Sequence, residues 1–195
     1  MAETCELRPI NVYGTTKKMV EEFLWTLTDK NLCQFVALRY FNAAGCSSQY
    51  EIGEFHHPET HLIPNLCKSI ATQKPLSIYG DHYPTKDGTC IRDYVHVEDL
   101  SKAHCLAMDY LLSSKHESHA INLGSTCGYS ILDIVQAAQQ TLSKDLRYEI
   151  HPHRKGDPAV LVADCTKAFH ILGWKPQRNL ETMLTSAYSW YVKNA

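Results

Sequence analysis

Between residues 13 and 29, Met19, Val20, Phe23, Leu24 and Leu27 recur at a period of 3.6, while Lys18, Glu21 and Glu22 fall off the stripe. That pattern predicts an amphipathic helix from Tyr13 to Asp29, entered through a polar loop that carries Pro9. "FVALRYF" (35–41) is nearly continuous in apolar and aromatic residues, the mark of a parallel strand buried on both faces. The irregular stretch after it, "NAAGCSSQYEIGEFHHPET", is too long for a plain connector, and loops of that length are commonly functional. A helix over 62–73 and a strand at "LSIYG" (76–80) follow, then the turn-rich "DHYPTKDGT". Asp99 is placed to cap a helix reaching Ser113, and "AINLG" (120–124) reads as another buried strand. Ser130 with Asp133 spells a capping box opening "ILDIVQAAQQTL". "RYEIHP" is a strand, "CTKAFHILG" a short helix stopped at Gly173 with Pro176 beyond, and a last helix spans 180–192. Alternating strands and helices imply an α/β fold with a mainly parallel sheet.

Composition narrows the function classes. The chain has 195 residues and a net charge of -2, which gives no reason to expect nucleic acid or an anionic membrane as partner. No apolar run approaches membrane-spanning length, and the N-terminus lacks the pattern of a secretory signal. The 8 cysteines are scattered with no C-x-x-C, so they read as reduced thiols of a cytoplasmic protein. Nothing near Cys90 or Cys127 marks an activated nucleophile.

Tyr13 and Lys17 stand four apart and so share a helix face. A phenol with a pKa of about 10 is a poor base near neutrality, but an ammonium beside it favours the phenolate. A second positive charge, such as an oxidised nicotinamide ring, would favour it further. Such a tyrosine could accept a hydroxyl proton while hydride leaves the same carbon. Taken alone, the spacing equally describes a tyrosine at a helix start and a solvated lysine. Arg92 beside Asp93 reads in isolation as an ordinary ion pair, Arg154–Lys155 as a solvated loop, and Tyr40, Asn42 and Tyr79 as strand-end or turn residues. His56, His57 and His61, and His151 with His153, have no matching cysteine or acidic pattern. Pro58 interrupts the helix that would align His57 with His61, so no metal is expected.

The company of the tyrosine–lysine pair changes the weighting. "YGTTK", "LRYFNAAG", "IGEFHHPETHLIP", "IYGDHYPTKDGTCIRDYVHVEDL", "NLG" and "HRKGDPAVLVAD" follow one another in a familiar order and spacing. The chain closely resembles, over nearly every residue, the UDP-glucose 4-epimerase family of the extended short-chain dehydrogenase/reductases. The resemblance implies the C-terminal part of an NAD-binding Rossmann-type epimerase, a partial parallel sheet plus a smaller α/β substrate domain. Residues 1–42 and 93–124 would be the remnant of the nucleotide-binding domain, and 43–92 and 125–195 the UDP-sugar-binding domain. It further implies Tyr13 as catalytic base, Lys17 as its electrostatic partner on the nicotinamide ribose, and Tyr40 flanking the nicotinamide. Asn42 would hold the sugar nucleotide, and the main chain at His61 and Leu62 would reach the phosphates. Ser77 and Tyr79 would hold uracil, Arg92 and Arg154 clamp the pyrophosphate, and Asp157 bind the uridine ribose. Leu161 falls where side-chain bulk governs access of an N-acetyl group on carbon 2. Planar bidentate donors suit an anionic diphosphate, which supports the arginines independently.

The family's opening strand, G-x-x-G-x-x-G turn and helix, which receive the NAD pyrophosphate, have no match among the 9 glycines. Met1 falls just after the family's fourth strand. Two readings therefore stand. In one, the protein interconverts UDP-glucose and UDP-galactose through a 4-keto sugar, in galactose metabolism, as a homodimer formed by the helix of Tyr13 and the one at 99–113. In the other, it is a non-catalytic UDP-sugar-binding remnant, or half of a split enzyme needing a complementing N-terminal half. UDP-N-acetylhexosamine is an alternative substrate.

Overall fold

The computed structural model describes residues 1–113 and 117–194. Asn11 opens the first helix, α1 (Val12–Asp29), by accepting the Gly14 N–H on its side-chain oxygen at 2.8 Å. The chain then enters β1 (Val36–Tyr40), which runs parallel to β5 (His119–Leu123) with Leu38 opposite Ile121. After Phe41, β2 (Asn42–Ala44) leaves that pair and joins β4 (Ile91–His96), again in parallel. β4 also pairs antiparallel with β6 (Gly128–Ser130) and parallel with β8 (Val160–Leu161). A separate parallel pair joins β3 (Leu76–Tyr79) to β7 (Tyr148–His151). The helices α2 (Leu62–Thr72), α3 (Val97–Leu112), α4 (Ile131–Leu142), α5 (Thr166–Leu172) and α6 (Leu180–Asn194) lie between and against these strands.

Two cores result. One gathers Ile63, Leu66, Cys67 and Ile70 of α2, Leu76 and Ile78 of β3, Ile134 and Val135 of α4 and Met183 and Leu184 of α6. The other places Ile121 and Leu123 of β5 against Leu100, Ala103 and Ala107 of α3 and Ala168, Leu172 and Trp174 around α5. β4 serves both, because successive side chains point to opposite faces: Tyr94 joins the first core and Val95 the second.

The capping box at Ser130 and Asp133 forms as expected, and Gly173 ends α5 in the left-handed region at φ 64. Two expectations need correction. Residues 35–41 are not buried on both faces: only Phe35 is buried, and Tyr40 is 51% exposed. Among the described strands β1 hydrogen-bonds only to β5, and Arg39 within it turns toward α1 to pair with Glu21. Asp99 does not cap α3; His96 does, its Nδ1 accepting the Glu98 N–H at 3.1 Å. The strand β4 itself was not legible, because adjacent Arg92 and Asp93 break the apolar pattern. No described helix is long and apolar enough to cross a membrane.

Candidate active site

Tyr13 and Lys17 project from the first turns of α1, as their spacing requires. The Lys17 Nζ lies 5.3 Å from the centroid of the Tyr13 ring, close enough for cation–π attraction. The Tyr13 side chain is open to solvent at 70% exposure, and α1 buries none of its residues. Tyr40, at the end of β1, faces His104 of α3 with 6.1 Å between ring centroids.

A second group of residues converges around β4. Arg92 is 9% exposed, and its Nη2 donates to Asp157 Oδ1 at 2.6 Å while Nη1 donates to the Ile91 carbonyl at 2.8 Å. Those bonds use two of the five N–H donors of a guanidinium. Leu161 stands beside Arg92 in the β4–β8 register. The Arg154 guanidinium carbon sits 4.4 Å above the Tyr79 ring, so this arginine is held by stacking, with no carboxylate paired to it among the described residues. Ser77, two residues before Tyr79 on β3, shares its exposed face. Asn42 donates its side-chain N–H to the Asp93 carbonyl at 2.8 Å, tying β2 across to β4. Tyr13 and Lys17 share no hydrogen bond or ion pair with these residues among those described.

His61 and Leu62 stand at the N-terminus of α2, His61 as its cap residue in extended backbone. The His61 N–H already donates to Glu59 Oε1 at 2.7 Å. His151 and His153 stand apart from that region, against Tyr79 and Tyr83 respectively.

Residue-by-residue reading passed over two further groups near β4. The Tyr83 hydroxyl is buried with no hydrogen-bond partner among the described residues. Burial, then the Asp157 carboxylate, raises its pKa, while Arg92 and Arg154 oppose the rise. Cys90 lies in the same field, and burial pushes its thiol up as well. Tyr83 sits in a turn-rich stretch, where an aromatic carries no periodic signal. The second is Asp93, which is fully buried and accepts from Ser125 N and Oγ, Thr126 N and Ala163 N. It does not pair with Arg92, since neighbours on a strand face opposite ways.

Residues 1–124 match the NAD dependent epimerase/dehydratase family. The chain belongs to this family. A UDP-glucose 4-epimerase from Lactobacillus helveticus is 46% identical over 193 residues, covering 98% of this chain and 58% of the relative. The UDP-glucose-4-epimerase of Stenotrophomonas maltophila, solved with NAD and formylated UDP-arabinopyranose, aligns with a TM-score of 0.95 at 36% identity, over 99% of this chain and 58% of that one. The UDP-Glc/GlcNAc 4-epimerase of Campylobacter jejuni aligns with a TM-score of 0.76 at 38% identity, over 99% and 59%. The chain thus spans 58% of the length of that curated relative.

The family is NAD-dependent. Tyr13 with Lys17 on α1, and Tyr40 at the end of β1, are exposed side chains of the types that contact a nicotinamide and its ribose. No glycine-rich turn between a strand and a helix is present among the described residues to seat the pyrophosphate.

Proposed function

We propose that this chain carries the sugar-nucleotide site and the proton-transfer pair of an NAD-dependent UDP-hexose 4-epimerase, with UDP-glucose and UDP-galactose as substrates. The observation that carries the reading is the ammonium of Lys17 held over the ring of Tyr13 on an open helix face. Tyr13 accepts the proton of the hexose 4-hydroxyl, and Lys17 stabilises the phenolate it becomes. NAD, when bound, supplies the hydride acceptor and donor at carbon 4. Asn42 positions the sugar, and the main chain at His61 and Leu62 meets the phosphates. Arg92 and Arg154 neutralise the diphosphate, Asp157 and the stacking face of Tyr79 with Ser77 hold the uridine, and Tyr40 flanks the nicotinamide. Tyr83 supplies a buried hydroxyl to the same diphosphate region.

In this division residues 1–42 and 93–124 belong to the nucleotide-binding part, and 43–92 and 125–195 to the UDP-sugar part. Leu161, beside Arg92, sets the tolerance for a substituent on carbon 2, and a leucine leaves UDP-N-acetylhexosamine as a second substrate. The setting we propose is galactose metabolism in a reducing cytoplasm, in keeping with 8 free thiols.

One observation favours a second reading, a UDP-sugar-binding protein that turns over only with a complementing segment. Its catalytic tyrosine is exposed and α1 is unburied. The two separate in one assay: formation of UDP-galactose from UDP-glucose and NAD by the chain alone, and by the chain mixed with the N-terminal portion of the Lactobacillus helveticus relative. Turnover in either sample that Tyr13→Phe abolishes supports the epimerase. Binding of UDP-glucose without turnover in both supports the binding protein, and failure to bind UDP-glucose defeats both.

A further inference from the structure

The loop 45–60 and the start of α2 bring together four side chains that no spacing in the sequence associates. His61 Nδ1 lies 2.5 Å from Glu54 Oε1 and 3.3 Å from Glu59 Oε1. His56 Nδ1 lies 3.3 Å from Glu54 Oε1 and 3.5 Å from Glu59 Oε2. Donor atoms of all four residues fall within 4.8 Å of one another, with the two imidazole rings 5.2 Å apart. We propose that Glu54, His56, Glu59 and His61 form a binding site for a divalent transition-metal ion, zinc by the chemistry of the donors.

The donors lie close enough together for one ion to gather all four. Ligand bonds of about 2.0–2.2 Å to imidazole nitrogen and carboxylate oxygen put neighbouring donors roughly 3.4 Å apart. Three of the four nitrogen–oxygen separations are 3.3, 3.3 and 3.5 Å, the two to Glu59 reaching one oxygen each of its carboxylate, and the His61–Glu54 contact would open around an ion. Two imidazoles with two carboxylates suit zinc better than calcium or magnesium, which prefer oxygen alone.

The donors are also held from behind. Glu59 Oε1 accepts the backbone N–H groups of Thr60 and His61, each at 2.7 Å, which fixes its carboxylate. Gly53 lies so close to the Trp190 ring that a side chain there would collide with it, which sets where Glu54 starts. Glu54 lines a small cavity with Cys46, Ile63, Cys67 and Trp190, so the site has an apolar wall on one side. A bound ion would clamp the loop 45–60 onto the first turn of α2. The proposal does not depend on the epimerase reading.

The test is calorimetric titration of the EDTA-treated chain with zinc sulfate, beside the same titration of His56→Ala/His61→Ala. The unmodified chain should bind one ion per chain and show a thermal midpoint several degrees higher with zinc than with EDTA. Loss of groups outside a metal's ligand shell costs about tenfold to a hundredfold in affinity, so loss of two ligands should cost at least that. His56 and His61 side chains are 52% and 60% exposed, so the variant should fold, which circular dichroism verifies. Cobalt offers an independent readout, since a tetrahedral site gives intense visible absorption that the variant should lack. Absence of zinc binding, binding unchanged in the variant, or cobalt spectra typical of the hydrated ion would each overturn the proposal.

Discussion

Arg92 on β4 and Asp157 before β8 stand 65 positions apart in sequence and meet at 2.6 Å, with the Arg92 side chain 10% exposed. The guanidinium is therefore held in one orientation by Asp157 and the Ile91 carbonyl, as the proposed diphosphate clamp requires.

For Arg92 the expected result is weaker UDP binding. Hydrogen bonds to charged groups are worth about 1.5–3 kcal/mol, so Arg92→Lys, which loses the planar fork, should raise the UDP dissociation constant roughly tenfold or more. Calorimetry decides it; an unchanged constant in a folded variant removes Arg92 from the site.

Tyr13 is 70% exposed, so Tyr13→Phe should shift stability by no more than about 0.5 kcal/mol while removing any turnover the protein shows. Urea unfolding beside the epimerase assay separates these two effects. A large loss of stability would mean that the hydroxyl serves the fold.

Met19, Val20 and Phe23 of the α1 stripe are exposed, Phe23 by 61%, and Met108 on α3 is 61% exposed too. If these helices form the proposed homodimer, Phe23→Glu with Met108→Glu should lower the sedimenting mass and leave secondary structure intact. A protein that sediments as a monomer before mutation would end the dimer proposal.

His96 is buried beneath α6 with its Nδ1 as acceptor, so its Nε2 carries the proton and donates to Ser186 Oγ at 3.4 Å. Burial, then Arg178, lowers its pKa below 6.5, and burial with Lys167 does the same for His119. A folded histidine that resists protonation contributes fully above the unfolded pKa. Its contribution falls with pH from 6.5 down to the folded value, because the unfolded chain gains protons first. The urea midpoint should therefore be lower at about pH 5.5 than at about pH 7.5, with a smaller drop in His96→Asn. Equal drops in both proteins would assign the effect elsewhere.

Asp99 accepts Gln177 N and Arg178 N, each at 3.0 Å, and Arg178 Nη1 at 2.6 Å, while being 4% exposed. Asp99→Ala leaves those donors unpaired and should cost about 3 kcal/mol in chemical denaturation. A loss within the range of surface substitutions would show that water replaces the carboxylate.

Local patterns determined much of this protein. The 3.6 period of Met19, Val20, Phe23, Leu24 and Leu27 fixed the α1 stripe, and Ser130 with Asp133 opened α4, because caps and periodicity act over one or two turns. The order of the motifs named the family. Tertiary structure alone decided whether those faces are covered: the α1 stripe found no core, and β1 found one neighbour. It also decided which charges meet. Arg92 bonds Asp157 and not adjacent Asp93, and Glu54 and Glu59 close on His56 and His61. Periodicity tells which side of an element a residue takes, whereas partners across loops depend on the path of the whole chain.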